Sequence, residues 1–197
     1  MRVIYFTLLL ILCSDVMASN KSVVNFAPLP MKKATKDIQD FVPLSSYLKQ
    51  KLKISIKYVH KKNYQDILDS FIEGDIDIAY LGPLPLLSLK KQYPHIEPII
   101  SFKQKNGSQK YRCVLLKFKK DNFDSKKIFK VALTQPLSTC GYFMTQKLLK
   151  DKFNVDLNTQ KYNYAMSHSN AILSVLEGDY LIAGAKTNKT KITFKLL

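Results

Sequence analysis

Two segments of this 197-residue chain repeat one another closely enough to constrain its fold. Ile67–Leu81 reads ILDSFIEGDIDIAYL and Ala171–Ala185 reads AILSVLEGDYLIAGA, so their Glu-Gly-Asp tripeptides start 104 residues apart. Each copy has apolar residues at helical spacing, then a glycine (Gly74 or Gly178) where a helix C-terminus favours a left-handed residue, and then a strand. A helix-to-strand unit used twice predicts two similar lobes rather than one continuous core. The alternative is that Glu-Gly-Asp is simply a common junction, but the matching pattern around the tripeptide favours a repeat.

The N-terminus has the pattern of a secretory signal peptide. Arg2 precedes the apolar run Val3–Leu12, and a Val-Met-Ala sequence ending at Ala18 places small or aliphatic residues where a signal peptidase cleaves. We therefore predict a cleaved signal over residues 1–18 and an exported protein. The run is too short for a membrane span, which needs about 20 apolar residues, and nothing else in the chain is long and apolar enough to cross a bilayer. Lipid anchoring through Cys13 is the minor alternative, because the Leu-Ile-Leu run before it lacks the small residue usual at a lipoprotein cysteine.

The chain is strongly basic, with 31 Lys and Arg against 15 Asp and Glu and a formal net charge of +16. Cleavage after residue 18 removes Arg2 and Asp15 together and leaves that charge unchanged. A basic balance is compatible with nucleic acid or an anionic membrane as partner, and such binding would depend steeply on salt. However, Arg2 and Arg112 are the only arginines, and arginine is favoured for bidentate contacts to phosphates and bases. We therefore expect a solvated lysine surface, no nucleic-acid partner and no stable membrane insertion after signal cleavage.

Two cysteines, Cys113 and Cys140, remain after signal cleavage. In an exported protein they could form one disulfide. They fall in a predicted strand and at a predicted helix start, so the sequence alone leaves their pairing open. The chain has only three histidines and no CxxC or HExxH motif, and we expect neither a metal site nor a cofactor.

Alternating strand-like and helix-like segments indicate an α/β architecture. In the first half, the predicted strands are Val23–Ala27, Ile54–Val59 and Asp77–Leu81, and the predicted helices are Phe41–Leu52 and Tyr64–Glu73. A rigid Gly-Pro-Leu-Pro loop at 82–85 and a short helix to Gln92 follow, then predicted strands at Ile99–Phe102 and Tyr111–Phe118. The second half has predicted strands at Phe129–Thr134, Gln160–Tyr164 and Tyr180–Ala185, and predicted helices at Thr139–Phe153 and Asn170–Glu177. This order predicts mainly parallel sheets covered by helices, with a ligand crevice at the carboxyl ends of the strands.

The segment VALTQPLSTCGY, residues 131–142, is the strongest candidate for an anion site. It passes from a strand through a proline turn into small residues that open a helix. Ser138 is a good N-cap, and the free backbone N–H groups of Thr139, Cys140 and Gly141 are expected to face the crevice at the positive end of the helix dipole. Such a helix start binds anions without a charged side chain. The alternative is an ordinary capped helix.

Two further candidates also fall at the carboxyl ends of predicted strands. His168, in a Ser-His-Ser-Asn sequence before a helix, can donate a hydrogen bond to an oxyanion or cap its own helix. Tyr80 can form a pocket wall or serve as plain packing. No nucleophile and base surround His168 in the sequence, and Cys140 has no histidine neighbour that can be placed, so we expect a binding protein rather than an enzyme. The convergence of three weak signals on one kind of position favours a ligand site.

Taken together, GDIDIAYLGPLP, the STCGY helix start and SHSNAILSVLEGD resemble the phosphate, phosphite and phosphonate substrate-binding proteins of ABC importers. The resemblance implies a type II periplasmic-binding-protein fold, with two lobes that each have a central, mainly parallel sheet flanked by helices. It also implies a periplasmic protein that captures a small phosphorus oxyanion and passes it to an inner-membrane ABC permease. The residues that it places at the ligand are Ser138, Thr139, Cys140, His168 and Tyr80. Two alternatives keep the fold: a ligand-sensing module for a membrane signalling protein, or a non-functional truncated product.

The order of strands and helices predicts the lobe boundaries, and the chain departs from the family pattern in two ways. The first lobe is expected over residues 19–102 and the second over residues 103–187, with 188–197 as a truncated or aberrant tail. Family members continue further, so we expect the second lobe and the return to the first lobe to be incomplete. Cys140 stands where serine is more usual, which removes one hydroxyl donor and keeps the backbone N–H. A thiol at a helix start can be reactive, although a simple small-residue substitution is the plainer interpretation.

Overall fold

The computed structural model describes residues 23–31, 34–104 and 107–187. The predicted signal peptide, Cys13 and the predicted tail at 188–197 lie outside these ranges. The strands in the described ranges are β1 Val23–Ala27, β2 Ser55–Tyr58, β3 Ile78–Ala79, β4 Arg112–Leu116, β5 Lys130–Leu133, β6 Lys161–Tyr164 and β7 Ile182–Thr187. The α-helices are α1 Ala34–Gln39, α2 Val42–Leu52, α3 Tyr64–Ile72, α4 Pro83–Gln92, α5 Met144–Phe153 and α6 His168–Leu176. A π-helical turn at Thr139–Phe143 leads into α5, and a short 3-10 helix at Leu157–Thr159 follows it.

The first sheet is parallel throughout and has the strand order β2-β1-β3. Phe26 of β1 lies opposite Tyr58 of β2 and Ile78 of β3. Helix α3 connects β2 to β3 and contributes the fully buried Ile67 and Leu68 to the core on this side. A helix between two parallel strands of one sheet is the connection that the βαβ pattern predicts.

The second sheet has the order β4-β7-β5-β6 and is mainly parallel. Strand β5 pairs in parallel with β6 and β7, whereas β7 and β4 are antiparallel. Its core includes the fully buried Val131 and Leu133 from β5 and Leu149 from α5. The two mainly parallel sheets with their helices confirm the predicted α/β class. Within the described ranges, no helix is both long and apolar enough to cross a bilayer.

The two Glu-Gly-Asp segments form the same helix-to-strand junction. Gly74 and Gly178 both have φ of +84°, a left-handed conformation that glycine adopts without a steric penalty. The two residues after Gly74 donate their N–H groups to the Ser70 carbonyl, and the two residues after Gly178 donate theirs to the Ser174 carbonyl. The repeat in the sequence is therefore a repeat of backbone structure, as predicted.

Two local predictions are wrong. Residues 99–102 pair with no strand of the described chain: Ile99 is 74% and Ile100 60% exposed, while Phe102 packs edge-on against the rings of Tyr80 and Phe41. The Gly-Pro-Leu-Pro segment is not a loop before a helix but the start of α4, with Pro83 as its first residue. Proline is well accommodated there, because its missing N–H belongs to the first turn, where the donors have no partner within the helix.

Candidate ligand-binding cleft

A cleft of about 780 Å³ is lined from both sheets and brings the predicted ligand residues together. The predicted residues that line it are Ser138, Thr139, Cys140, His168 and Tyr80. Tyr64, Tyr111 and Lys186 line the same cleft and were not predicted. Tyr64 begins the helix after β2 and Lys186 lies near the carboxyl end of β7. Since ligands of such sheets bind at the carboxyl ends of the strands, both residues could have been predicted from the sequence. Tyr111 precedes β4, and only the antiparallel pairing of β4 with β7 brings it to this edge.

The binding turn, defined as residues 138–141, connects β5 to the helical segment that continues into α5. Ser138 is its N-cap, as predicted: its buried Oγ accepts a hydrogen bond of 3.0 Å from the N–H of Gly141. The prediction of a free Gly141 N–H is therefore wrong, because the cap itself uses that donor, and the predicted backbone donors are reduced to the N–H groups of Thr139 and Cys140. Thr139 Oγ1 accepts a hydrogen bond of 3.0 Å from the N–H of Leu84 in α4. Because both hydroxyls act as acceptors in these bonds, each keeps its own proton to donate to a tyrosine or to an anion.

A disulfide between Cys113 and Cys140 attaches the binding turn to β4. The pairing that the sequence left open joins residues 27 apart in the chain, with their Cα atoms 4.9 Å apart. Cys140 therefore has no thiol, which excludes a reactive thiolate, while its backbone N–H remains in the turn. The turn is also held from the far side, because Thr145 Oγ1 donates a hydrogen bond of 2.8 Å to the Cys140 carbonyl. Gly184 of β7 packs so closely on Thr145 that a β-carbon there would overlap the threonine side chain.

His168 is the first residue of α6 and does not cap it. The N-cap is Ser167, whose Oγ accepts a hydrogen bond of 3.1 Å from the N–H of Asn170, so the capping alternative for His168 is wrong. Nδ1 of His168 is buried and has no hydrogen-bond partner among the described residues. Burial lowers the pKa of the imidazole, the positive charge of Lys186 lowers it further, and an interaction with the backbone of Gly184 acts in the opposite direction. The imidazole is therefore neutral near neutral pH, and its buried Nδ1 has no hydrogen-bond partner among the described residues.

Two tyrosines, the buried Tyr64 and the half-buried Tyr111, interact with the hydroxyls of the binding turn. Burial raises the pKa of Tyr64, and a side-chain hydrogen bond with Ser138 partly opposes that effect. Burial likewise raises the pKa of Tyr111, opposed by a side-chain hydrogen bond with Thr139. Both phenols therefore stay protonated at neutral pH and act as neutral hydrogen-bonding groups beside the turn.

Tyr80 belongs to an aromatic wall rather than to the polar end of the cleft. Its ring centroid lies 5.1 Å from that of Phe41 and 5.6 Å from that of Phe102. Phe41 in turn packs against Phe26 of β1, with centroids 4.9 Å apart. Such edge-on and tilted contacts stabilise a compact aromatic cluster, which gives the first-sheet side of the cleft an apolar surface.

Gln135 joins backbone groups from the sides of both sheets. Its side chain is only 1% exposed, and its Oε1 accepts a hydrogen bond of 2.9 Å from the N–H of Tyr64. Its Nε2 donates to the carbonyl of Pro30 at 3.3 Å and to that of Met166 at 3.0 Å. Tyr64 and Pro30 belong to the side of the first sheet, whereas Met166 follows β6 of the second. One side chain thus holds backbone groups from both sides.

Comparison with known proteins gives a consistent set of similarities. Residues 26–192 match the family described as the periplasmic substrate-binding protein of phosphonate ABC transporters. The phosphate-import protein PhnD of Mycolicibacterium smegmatis is 21% identical over 168 residues, which cover 79% of this chain and 52% of that protein. The chain thus spans about half the length of this curated relative.

Two solved structures are similar to this one over most of its length. PhnD1 of Prochlorococcus marinus, in complex with methylphosphonate, has a TM-score of 0.67 at 20% identity, covering 83% of this chain and 63% of that one. A binding protein component of an ABC phosphonate transporter from Pseudomonas aeruginosa has a TM-score of 0.71 at 18% identity, covering 85% of this chain and 58% of that one. At these identities the two structures establish a shared fold.

Proposed function

This chain belongs to the family of periplasmic substrate-binding proteins of phosphonate ABC transporters, and we propose that it captures a small phosphorus oxyanion, namely phosphate, phosphite or a phosphonate, for ABC-type import. The similar solved structures have the type II periplasmic-binding-protein fold, which confirms the predicted fold class. The family consists of binding proteins, not enzymes. In this chain, the disulfide also removes Cys140 as a nucleophile.

The observation that carries the proposal is the binding turn beside an unpartnered histidine nitrogen in one cleft. The turn offers backbone N–H groups at the positive end of a helical segment, together with the hydroxyls of Ser138 and Thr139. His168 and the two tyrosines add neutral groups that can donate hydrogen bonds. Hydrogen bonds to a charged acceptor are roughly twice as strong as those between neutral groups. A small oxyanion therefore gains from every one of these neutral donors.

The transport role follows from the family. Its members are periplasmic and belong to ABC transporters, and for this chain we propose an inner-membrane ABC permease as the partner. Because the cleft is lined from both sheets, a bound anion contacts both sides and stabilises the arrangement in which they are close together. Ligand binding would then shift the population from open to closed molecules, which a permease can distinguish.

Titration calorimetry on the full chain tests the proposal with phosphate, phosphite, methylphosphonate and 2-aminoethylphosphonate. We expect a binding heat with at least one of them and competition among those that bind. Thr139→Val should weaken binding about 10- to 100-fold, because a hydrogen bond to a charged group contributes roughly 1.5–3 kcal/mol. Thr159→Val is the matched control, since Thr159 is exposed and its hydroxyl bonds only to near neighbours in the chain, the Asp156 carbonyl and the Gln160 amide. Absence of heat with all four ligands from a folded sample, or equal losses in the two variants, would refute the proposal.

A further inference from the structure

Lys186 brings a positive charge into the cleft. It lies opposite Cys113 in the antiparallel ladder of β4 and β7, and directly opposed residues project their side chains on the same face of a sheet. Its side chain is therefore on the face that carries the disulfide and the binding turn. Its Nζ lies 4.5 Å from the centroid of the Tyr111 ring, and the side chain is half-buried.

The charge of Lys186 is not balanced by a carboxylate of the described residues. Among residues 23–31, 34–104 and 107–187, no Asp or Glu forms an ion pair with it, and its ammonium lies over the Tyr111 ring. A partly desolvated ammonium without a counter-charge is unfavourable. Burial lowers the pKa of Lys186, and the charge of Lys186 in turn lowers that of His168. An anion placed between these two side chains would relieve both effects.

We propose that Lys186 is a specificity-determining ligand contact, whose ammonium pairs with the bound oxyanion and favours dianions over monoanions of the same shape. This inference rests on the function proposed above. The other donors at the site are hydroxyls, backbone N–H groups and a neutral imidazole, which carry no net charge and bind a monoanion and a dianion in the same geometry. A full positive charge distinguishes them, because Coulomb attraction grows with the charge of the ligand.

Methylphosphonate and methanesulfonate provide the test, because both are tetrahedral groups with one methyl substituent. At mildly alkaline pH methylphosphonate carries two negative charges and methanesulfonate one. Lys186→Met keeps an unbranched side chain against the Tyr111 ring and removes the charge, whereas Lys186→Arg keeps the charge. Lys130→Met, at an exposed lysine of β5 in the same sheet, is the matched control.

Calorimetry should give a selective loss. Lys186→Met should weaken methylphosphonate binding about 10- to 100-fold, as expected when a charged contact is removed. The fold-loss in affinity for methanesulfonate should be smaller than that for methylphosphonate by a factor of about three or more. Lys186→Arg should keep most of the preference for methylphosphonate, and Lys130→Met should change neither affinity. Far-UV circular dichroism checks that each variant is folded, and Lys186→Gln replaces Lys186→Met if the latter is not.

The outcomes separate this inference from the proposed function. If the parent chain binds methylphosphonate and Lys186→Met leaves the ratio of the two affinities unchanged, the assignment of Lys186 is overturned while the oxyanion-binding function stands. If the parent chain binds no phosphorus oxyanion at all, both proposals are overturned. A loss in Lys186→Met that is equal for the two ligands also overturns the charge preference, since it points to packing alone.

Discussion

Replacing Gln135 with methionine should lower the free energy of unfolding by about 2–5 kcal/mol. The substitution keeps the length of the side chain and removes its three hydrogen bonds. The N–H of Tyr64 is in the first turn of α3 and has no partner within the helix, so leaving it buried and unpaired costs about 1–3 kcal/mol. The carbonyls of Pro30 and Met166 each lose a donor, at roughly 0.5–1.5 kcal/mol apiece. The 3.3 Å bond to Pro30 belongs at the low end of that range.

Urea denaturation followed by far-UV circular dichroism measures this loss, since the chain has no tryptophan for fluorescence. Gln160→Met is the matched control, because the Gln160 side chain accepts a bond of 2.9 Å from the Phe129 N–H and donates an exposed one to its neighbour Thr159, both on the side of the second sheet. We expect about 1 kcal/mol of destabilisation from the control and no change in its radius of gyration. Gln135→Met should also increase the radius of gyration measured by small-angle X-ray scattering, because the Gln135 hydrogen bonds no longer join the sides of the two sheets. A stability loss no larger than that of Gln160→Met, at an unchanged radius, would refute the role of Gln135.

Three other perturbations test the cleft. Reduction of the disulfide between Cys113 and Cys140 should cost about 3.5 kcal/mol, the loop-closure value for its separation of 27 residues; a Tm indifferent to dithiothreitol would contradict the bond. Gly184→Ala should cost about 1–3 kcal/mol through overpacking, whereas Gly82→Ala, whose β-carbon would meet its neighbours at 3.7 Å or more, should be nearly neutral in the same denaturation assay. Because the pKa of His168 is lowered below its ordinary 6.5 in the folded chain, its contribution to stability is complete above that pH and declines as the pH falls below it. His168→Gln should reduce the loss of stability between neutral and acidic pH, measured by urea denaturation at each pH. An equal loss in the variant and the parent would contradict the lowered pKa of His168.

Local patterns account for the parts of the fold that the sequence predicts well. The second Glu-Gly-Asp copy predicts both α6 and the strand after it, because apolar spacing and a glycine at the helix end act within a few residues. The N-cap role of Ser138 is predicted for the same reason, since the cap bonds to Gly141 three residues later. All five predicted site residues line one cleft, and their contact with a ligand stays a prediction.

The features that the sequence does not predict depend on distant partners. The glutamine at 135 bonds to the N–H of Tyr64, 71 residues away, and no local pattern marks a buried amide in a proline turn. The Cys113–Cys140 pairing needs β4 beside the binding turn, which follows from sheet order alone. The strand predicted at 99–102 is wrong because a strand also needs a partner. Its apolar residues match a strand pattern, but no strand of the described chain pairs with them.

The disulfide makes the two sides of the cleft differ in how firmly they hold the binding turn. Through Cys113 and Thr145, the binding turn is fixed to the second sheet and its helix α5 by a covalent bond and a buried hydrogen bond. On the first-sheet side it is joined to α4 by the single hydrogen bond from the Leu84 N–H to the Thr139 hydroxyl. Tyr64 and Tyr80 approach from the other side. Under the proposed function, we expect an incoming ligand to meet donors that are already oriented, so that the entropy lost on binding falls mainly on the approach of the opposite wall. In the proposed capture, the second-sheet side stays rigid and the first-sheet side moves. The fixed directions of the donors on the rigid side then determine which ligands allow the cleft to close.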